Sequence, residues 1–282
     1  LSTLTINDQI FTLVCGDRFS GRAVYRGPGI YLRIGIPALI AREEAIHRRL
    51  WAAGFPVAPL LQTGEEAGQP FFCEAALGKV VLGEIYEAEM QAEGAVSEGS
   101  FRHLLTVLLR WAEAQLRNAN QDGTPADLAQ TVRLSAVERL LPSLLPLTRQ
   151  AFARAQQRLA VFPTVLTHGD FHPYNLCING VIDLEMVHWS VAGYDVMSGL
   201  LDEDLLPPAP TDYRFTPQQR AHAFTAIDDL FQSYHLPPPS AYVDDFRICR
   251  MMRIVELAEK RPLAVQQWIY QQYTTLATAY IS

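Results

Sequence analysis

Apolar residues along this chain fall into short runs, and their spacing changes near residue 80. In the first part, FTLVCG (Phe11–Gly16), RAVYRG (Arg22–Gly27) and IYLRIG (Ile30–Gly35) are β-branched or aromatic runs separated by the glycine-bearing turns GDRFSG and GPG. That pattern predicts an antiparallel meander with hairpin connections. From Pro37 to Gly54 the period becomes helical, with Leu39, Ile46, Leu50 and Ala53 on one stripe, Pro37 in the first turn and Gly54 as the stop. VAPLLQTG and QPFFCEAA then read as two more strands joined by GEEAG.

From Leu82 onward helices dominate. SEGSFRHLLTVLLRWAEAQLRNA (Ser97–Ala119) is amphipathic, and helical spacing continues from Pro125 to Ala160 between prolines. The tail predicts helices over Thr216–Tyr234, with Thr216 as cap and Pro217 behind it, then Ser240–Lys260 and Pro262–Ile281. Between them lie the short strand-like runs PTVLTH, NLCING and VIDLE, followed by a proline-rich loop, LLPPAPTDY. The expected architecture is α+β and bilobal: a small β-rich lobe with one helix (residues 1–76) and a larger, mainly helical lobe (residues 77–282). Chemistry near the junction of two lobes would form a cleft.

Composition narrows the function classes. A chain of 282 residues, about half apolar, suits a soluble protein with a sizeable core. It has no apolar run of the roughly 18 residues a membrane span needs, and LSTLTINDQI lacks the features of a secretory leader. Cys15, Cys73, Cys177 and Cys249 form no CxxC pair, as expected in a reducing cytoplasm. A net charge of -7 argues against nucleic acid and leans slightly towards a cationic small molecule. Only Lys79 and Lys260 are lysines among 23 Lys and Arg residues.

The densest chemistry lies in LTHGDFHPYNL (Leu166–Leu176) and the nearby VIDLE. His168, Asp170 and His172, at i, i+2 and i+4, have the residue types of an open zinc site that activates water. That reading gives Asn175 and Asp183 no task. Phosphoryl transfer uses all of them: a carboxylate beside the attacking hydroxyl (Asp170) and hard oxygen ligands for Mg²⁺ (Asn175 and Asp183). A hairpin turned at Asn179-Gly180 would bring the two ligands side by side.

HGDFHPYN followed by VIDLE resembles the catalytic segment of the aminoglycoside phosphotransferase family. That family has a protein-kinase-like fold, with relatives among choline, homoserine and fructosamine kinases. The resemblance spans most of the chain. It implies that Asp170 is the catalytic base or hydroxyl-positioning residue, that Asn175 and Asp183 hold Mg²⁺, and that ATP or GTP is the phosphoryl donor. It further implies a phosphate-covering loop tipped by Ser20 and Gly21, a phosphate-binding cation at Arg33, and a helix glutamate, Glu44, to pair with it; Glu43 is the alternative partner. FFCEAALG resembles the hinge, where the Glu74 carbonyl and Ala76 N–H would meet the purine. Asp195, in GYDV, resembles the aspartate that brace the catalytic loop, and His168 would support that loop from beneath.

Arg33 stands where most kinases have lysine, which keeps a nucleotide-binding pseudokinase open as a rival reading. In a chain nearly devoid of lysine, arginine is the expected cation, and its guanidinium can bind phosphate oxygens. Candidates for the acceptor side are His172, Glu185, Asp202 and Glu203. In aminoglycoside-modifying relatives such helical-lobe carboxylates receive ammonium groups, and Glu256 with Glu259 form a second acidic cluster. The expected activity is transfer of a γ-phosphoryl group to a hydroxyl of a small molecule.

Overall fold

The computed structural model describes residues 2–120, 125–205 and 213–282, without the side chains of Glu203 and Asp204. The chain divides into two compact units. The first comprises Leu1–Val81 with Cys177–Glu185, the second Leu82–Leu176 with Met186–Ser282. The fold is α+β.

The first unit is built on a six-stranded antiparallel sheet of β1 (Thr3–Ile6), β2 (Gln9–Gly16), β3 (Arg22–Gly27), β4 (Ile30–Gly35), β5 (Leu60–Glu66) and β6 (Gln69–Ala75), in the order β1-β2-β3-β4-β6-β5. Strand β1 was not among the expected elements. It is short, yet its alternation sends Leu4 and Ile6 into a core shared with Phe11, Tyr25, Leu32, Ile34 and Phe71. Because successive side chains point to opposite faces, Arg33 lies on the face away from Leu32 and Ile34. The β4–β6 register sets Arg33 opposite Phe72, leaving Glu74 two residues along on the same face.

Helix α1 (Pro37–Ala52) packs on that face. Its buried stripe is Ile40, Glu43, His47 and Leu50, so the expected stripe of Leu39, Ile46 and Ala53 is displaced. Apolar spacing misleads here because two polar side chains are turned inward to meet Arg33 and Glu74.

The second unit contains α2 (Leu82–Glu93), α3 (Glu98–Arg117), α4 (Leu128–Thr131), α5 (Leu134–Leu140), α6 (Leu145–Leu159), α7 (Tyr194–Leu205), α8 (Pro217–Ser233), α9 (Val243–Ala258) and α10 (Leu263–Ile281). Strand β7 (Thr164–Thr167) pairs with β10 (His188–Val191), and the two-residue strands β8 (Leu176–Cys177) and β9 (Gly180–Val181) form the hairpin between them. Thr216 caps α8 in a reciprocal capping box with Gln219 and has Pro217 behind it, as the sequence predicts. Helix α9 packs against α5, α6, α7 and α10 and is buried on nearly every face. Its buried residues include Asp245, Arg250 and Arg253, each of which therefore needs compensation. Among the described residues, no helix is long and apolar enough to cross a membrane.

Within the first unit, the hairpin is held by Val181 N–H donating to the Pro56 carbonyl at 2.8 Å, beside a parallel Val57–Val181 bridge. A Cβ at Gly180 would lie 2.1 Å from that carbonyl oxygen. Gly180→Ala must push the hairpin off Pro56 and is expected to cost about 1–3 kcal/mol, measured as a lower denaturant midpoint.

Candidate active site

In the first unit, two arginines organise four carboxylates. Arg33 is buried. Its Nε donates to Glu74 at 2.9 Å, and its Nη1 lies 3.7 Å from Glu43. Burial disfavours the Arg33 charge, but Glu74 and Glu43 outweigh it and raise the pKa. Arg22, at the start of β3, meets Glu43 at 2.8 Å, Asp183 at 3.1 Å and Glu185 at 2.7 Å. His47 Nε2 donates to the Ala58 carbonyl, and burial lowers its pKa despite the nearby Glu74. Asp183 has φ 62°, a left-handed conformation that a non-glycine residue adopts at some cost.

Between β2 and β3 the chain closes on itself. The Asp17 carboxylate accepts from the Phe19 N–H and the Ser20 hydroxyl, both at 3.0 Å, and the Gly21 N–H donates to the Asp17 carbonyl. Those bonds hold the Asp17 carboxyl below its ordinary pKa, the Phe19 N–H having the larger effect.

In the second unit, the centre of the site is the loop after β7. Asp195, fully buried at the start of α7, accepts hydrogen bonds from His168 N–H (2.7 Å), Gly169 N–H (3.2 Å), Trp111 Nε1 (2.8 Å) and Gln115 Nε2 (2.9 Å). His168 is buried against Trp111 and Phe171, and its Nδ1 accepts from Asp170 N–H at 3.3 Å. Gly169 has φ +79°, and a Cβ there would lie 2.8 Å from the Met186 carbonyl oxygen, so the turn requires glycine.

The loop presents Asp170 with Oδ2 3.5 Å from His172 Nε2 and Oδ1 3.9 Å from Arg250. Burial pushes the Asp170 carboxyl up. The hydrogen bond and charge of His172, together with Arg250 and Arg253, overcome this and hold it well below the usual carboxylate range. Asp170 is therefore ionised at neutral pH and suited to accept a hydroxyl's hydrogen bond. Asn175 donates from Nδ2 to the Asp170 carbonyl at 2.9 Å, leaving its amide oxygen as the acceptor of that group.

A family model described as APH, phosphotransferase enzyme family, matches residues 19–242. The chain belongs to that family. Solved structures similar to it include a choline/ethanolamine kinase family protein from Mesorhizobium loti, at 15% identity over 96% of this chain and 92% of that one, with a TM-score of 0.55. Another is the aminoglycoside phosphotransferase APH(3'')-Id from Streptomyces rimosus, in complex with ADP and streptomycin. It shares 14% identity over 86% of this chain and 92% of that one, with a TM-score of 0.53. These likenesses are of fold, kinase-like and bilobal. No curated protein matches the sequence.

Several expected partners differ in this member of the family. Glu44 does not face Arg33: it bonds Arg48 one turn along α1, and the buried Glu43 takes its place. The Glu74 side chain is drawn in to Arg33, a role that reading the hinge from sequence missed, and the Ala76 N–H already donates to the Gly29 carbonyl at 2.9 Å. Asp202 is not open to an ammonium group, because Arg250 holds it by two bonds of 2.5 and 2.7 Å. Glu256 and Glu259 are likewise paired, with Arg253 and Arg139. The Glu203 side chain lies outside the described residues. His168 is committed within the loop core and does not join Asp170 and His172 in a zinc triad.

Arg22 and Arg250 escaped the sequence reading. Their signal was faint: two arginines among 21, distinguished only by Arg22's position directly after the covering loop.

Two outcomes follow from Asp195 and Asp170. Asp195→Ala strands four buried donors and is expected to cost on the order of 3–5 kcal/mol, measured by chemical unfolding. The depressed Asp170 pKa means its contribution to stability is present above about pH 4, the unfolded value, and is lost as pH falls further. Asp170→Asn should therefore flatten the acid limb of the stability–pH curve, measured by thermal melts between about pH 5 and 2.5.

Proposed function

We propose that this protein is a small-molecule kinase that transfers the γ-phosphoryl group of ATP or GTP to a hydroxyl of its acceptor. The observation that carries this reading is Asp170, held ionised on a loop clamped by the buried Asp195. A carboxylate so fixed orients the attacking hydroxyl and accepts its proton as the phosphoryl group transfers. In a loose transition state, positioning counts for more than basicity, so a depressed pKa is compatible with the role.

Mg²⁺ would be held by Asn175 and Asp183, with Glu185 as an outer carboxylate. The donors are hard oxygens, as that ion prefers. Asp183 and Glu185 already converge on one cationic group, the Arg22 guanidinium. The bound ion would supply charge neutralisation at the phosphates. Arg33, braced by Glu43 and Glu74, and the turn tipped by Ser20 and Gly21 would complete the phosphate site, and the backbone near Glu74 and Ala76 would approach the purine.

A binding-only reading rests on Arg33, whose guanidinium is engaged by two carboxylates. It predicts nucleotide affinity without turnover. The deciding experiment is nucleoside diphosphate release with Mg²⁺ and ATP or GTP across aminoglycosides, choline, homoserine, sugars and hydroxy acids. Acceptor-dependent release is expected, falling at least about 100-fold in Asp170→Asn and in Asp183→Asn. Nucleotide binding with no release from any acceptor would favour the pseudokinase. Absence of nucleotide binding would remove both readings.

A further inference from the structure

The second unit contains a cavity of about 320 Å³ with Asp170 in its wall. Arg214, Arg250 and Arg261 line it, Asp202 supplies a second carboxylate, and Ile254 and Leu257 give it an apolar side. On the phosphotransfer reading, this cavity beside the hydroxyl-orienting carboxylate is where the acceptor sits.

Its charges can be counted residue by residue. Asp202 is consumed by Arg250 through Nε and Nη2. Arg250 is only 3% exposed, and its remaining Nη1 is buried without a hydrogen-bond acceptor, the nearest carboxylate oxygen being Asp170 Oδ1 at 3.9 Å. A buried guanidinium N–H without an acceptor is costly and marks a place where an oxygen would be welcome.

Arg214 donates to the neutral Tyr213 carbonyl. Among the described residues no carboxylate pairs with Arg214 or Arg261. The nearby α9 acid Glu256 and its neighbour Glu259 are engaged by Arg253 and Arg139. Three guanidiniums thus face two carboxylates, and one of those carboxylates is already spent. An ammonium group entering here would meet net positive charge. A carboxylate or phosphate would meet planar donors matched to its geometry.

We infer that the acceptor carries, besides its hydroxyl, an anionic group, and that Arg250, Arg214 and Arg261 receive it. The expectation of a cationic acceptor, drawn from the overall acidity of the chain, gives way to the local charge. Net charge is a property of the whole surface, whereas acceptor choice is decided inside this cavity.

The inference rests on the proposed phosphotransfer, and its test separates the two. Matched sets differing only in the charged group are compared: glycerate, glyceramide and 3-amino-1,2-propanediol, then gluconate, gluconamide and glucamine. Glycerol 3-phosphate, set against glycerate, distinguishes phosphate from carboxylate. Binding is measured by calorimetry without nucleotide, so that anion recognition is read independently of the transferred phosphoryl group. Diphosphate release is then measured with Mg²⁺ and ATP or GTP.

At least one anionic compound is expected to bind tenfold or more tightly than its amide and amine counterparts. Arg261→Gln and Arg214→Gln should shrink that ratio at least tenfold, while Arg261→Lys retains most of it. Both arginines are more accessible than Arg250, so these variants keep the buried Arg250–Asp202 pair. Preference for the amines, or no preference for the anion in any set, overturns the inference. Phosphorylation of amine members alone would leave the kinase standing and the anion site fallen. Anion-selective binding with no diphosphate release from any acceptor would do the reverse.

Discussion

Everything in the second unit's site hangs on one buried carboxylate. Asp195 has no access to water, and a charge in that position is tolerable only because four donors converge on it. Two of those donors are consecutive backbone N–H groups of the loop, His168 and Gly169. The other two come from helix α3. A single side chain thus ties a turn that lacks regular structure to a rigid helix, and the positive φ of Gly169 lets the turn face it. Asp170 follows directly, so its position is inherited from the clamp rather than from its own contacts.

The first unit solves a related problem with arginine. Arg33 and Glu74 lie on one face of the sheet because β4 and β6 pair in a register that aligns them, and α1 covers that face with Glu43 and His47. Guanidinium suits this setting better than ammonium would. Its several donors can serve Glu74 and Glu43 together, where a point charge would satisfy fewer directions. The near-absence of lysine is therefore matched by a buried network that uses what arginine offers.

The α+β architecture was legible wherever local pattern and burial agree. The strands from Phe11 to Gly35, the capped helix at Thr216 and the hairpin turned at Asn179-Gly180 all follow from period, turn chemistry and caps. Reading failed where burial is polar. The inner stripe of α1 carries Glu43 and His47, which hydrophobic spacing scores as outside, so Glu44 was chosen over its neighbour. Asp202 and Glu256 look like a solvated acidic face in sequence, because their arginine partners on α9 sit 48 and 3 residues away and carry no mark of pairing. The HGDFHPYN segment was readable because its chemistry is contiguous. The cavity beside it was not, since it is assembled from α7, α9, α10 and the approach to α8.

The two units leave opposite charge residues. In the first, Glu43, Glu74, Asp183 and Glu185 face Arg22 and Arg33, with His47 held towards its neutral form by burial. Four carboxylates against two guanidiniums fall short by two positive charges, the amount a divalent cation would bring. In the second, Arg214, Arg250 and Arg261 exceed Asp170 and Asp202 by one, the amount a single anionic substituent would balance. Buried charge is costly when uncompensated, so each imbalance describes the ligand its site was built to receive. The metal proposed for one and the anionic acceptor inferred for the other are thus two answers to the same electrostatic requirement, each set by side chains already in place.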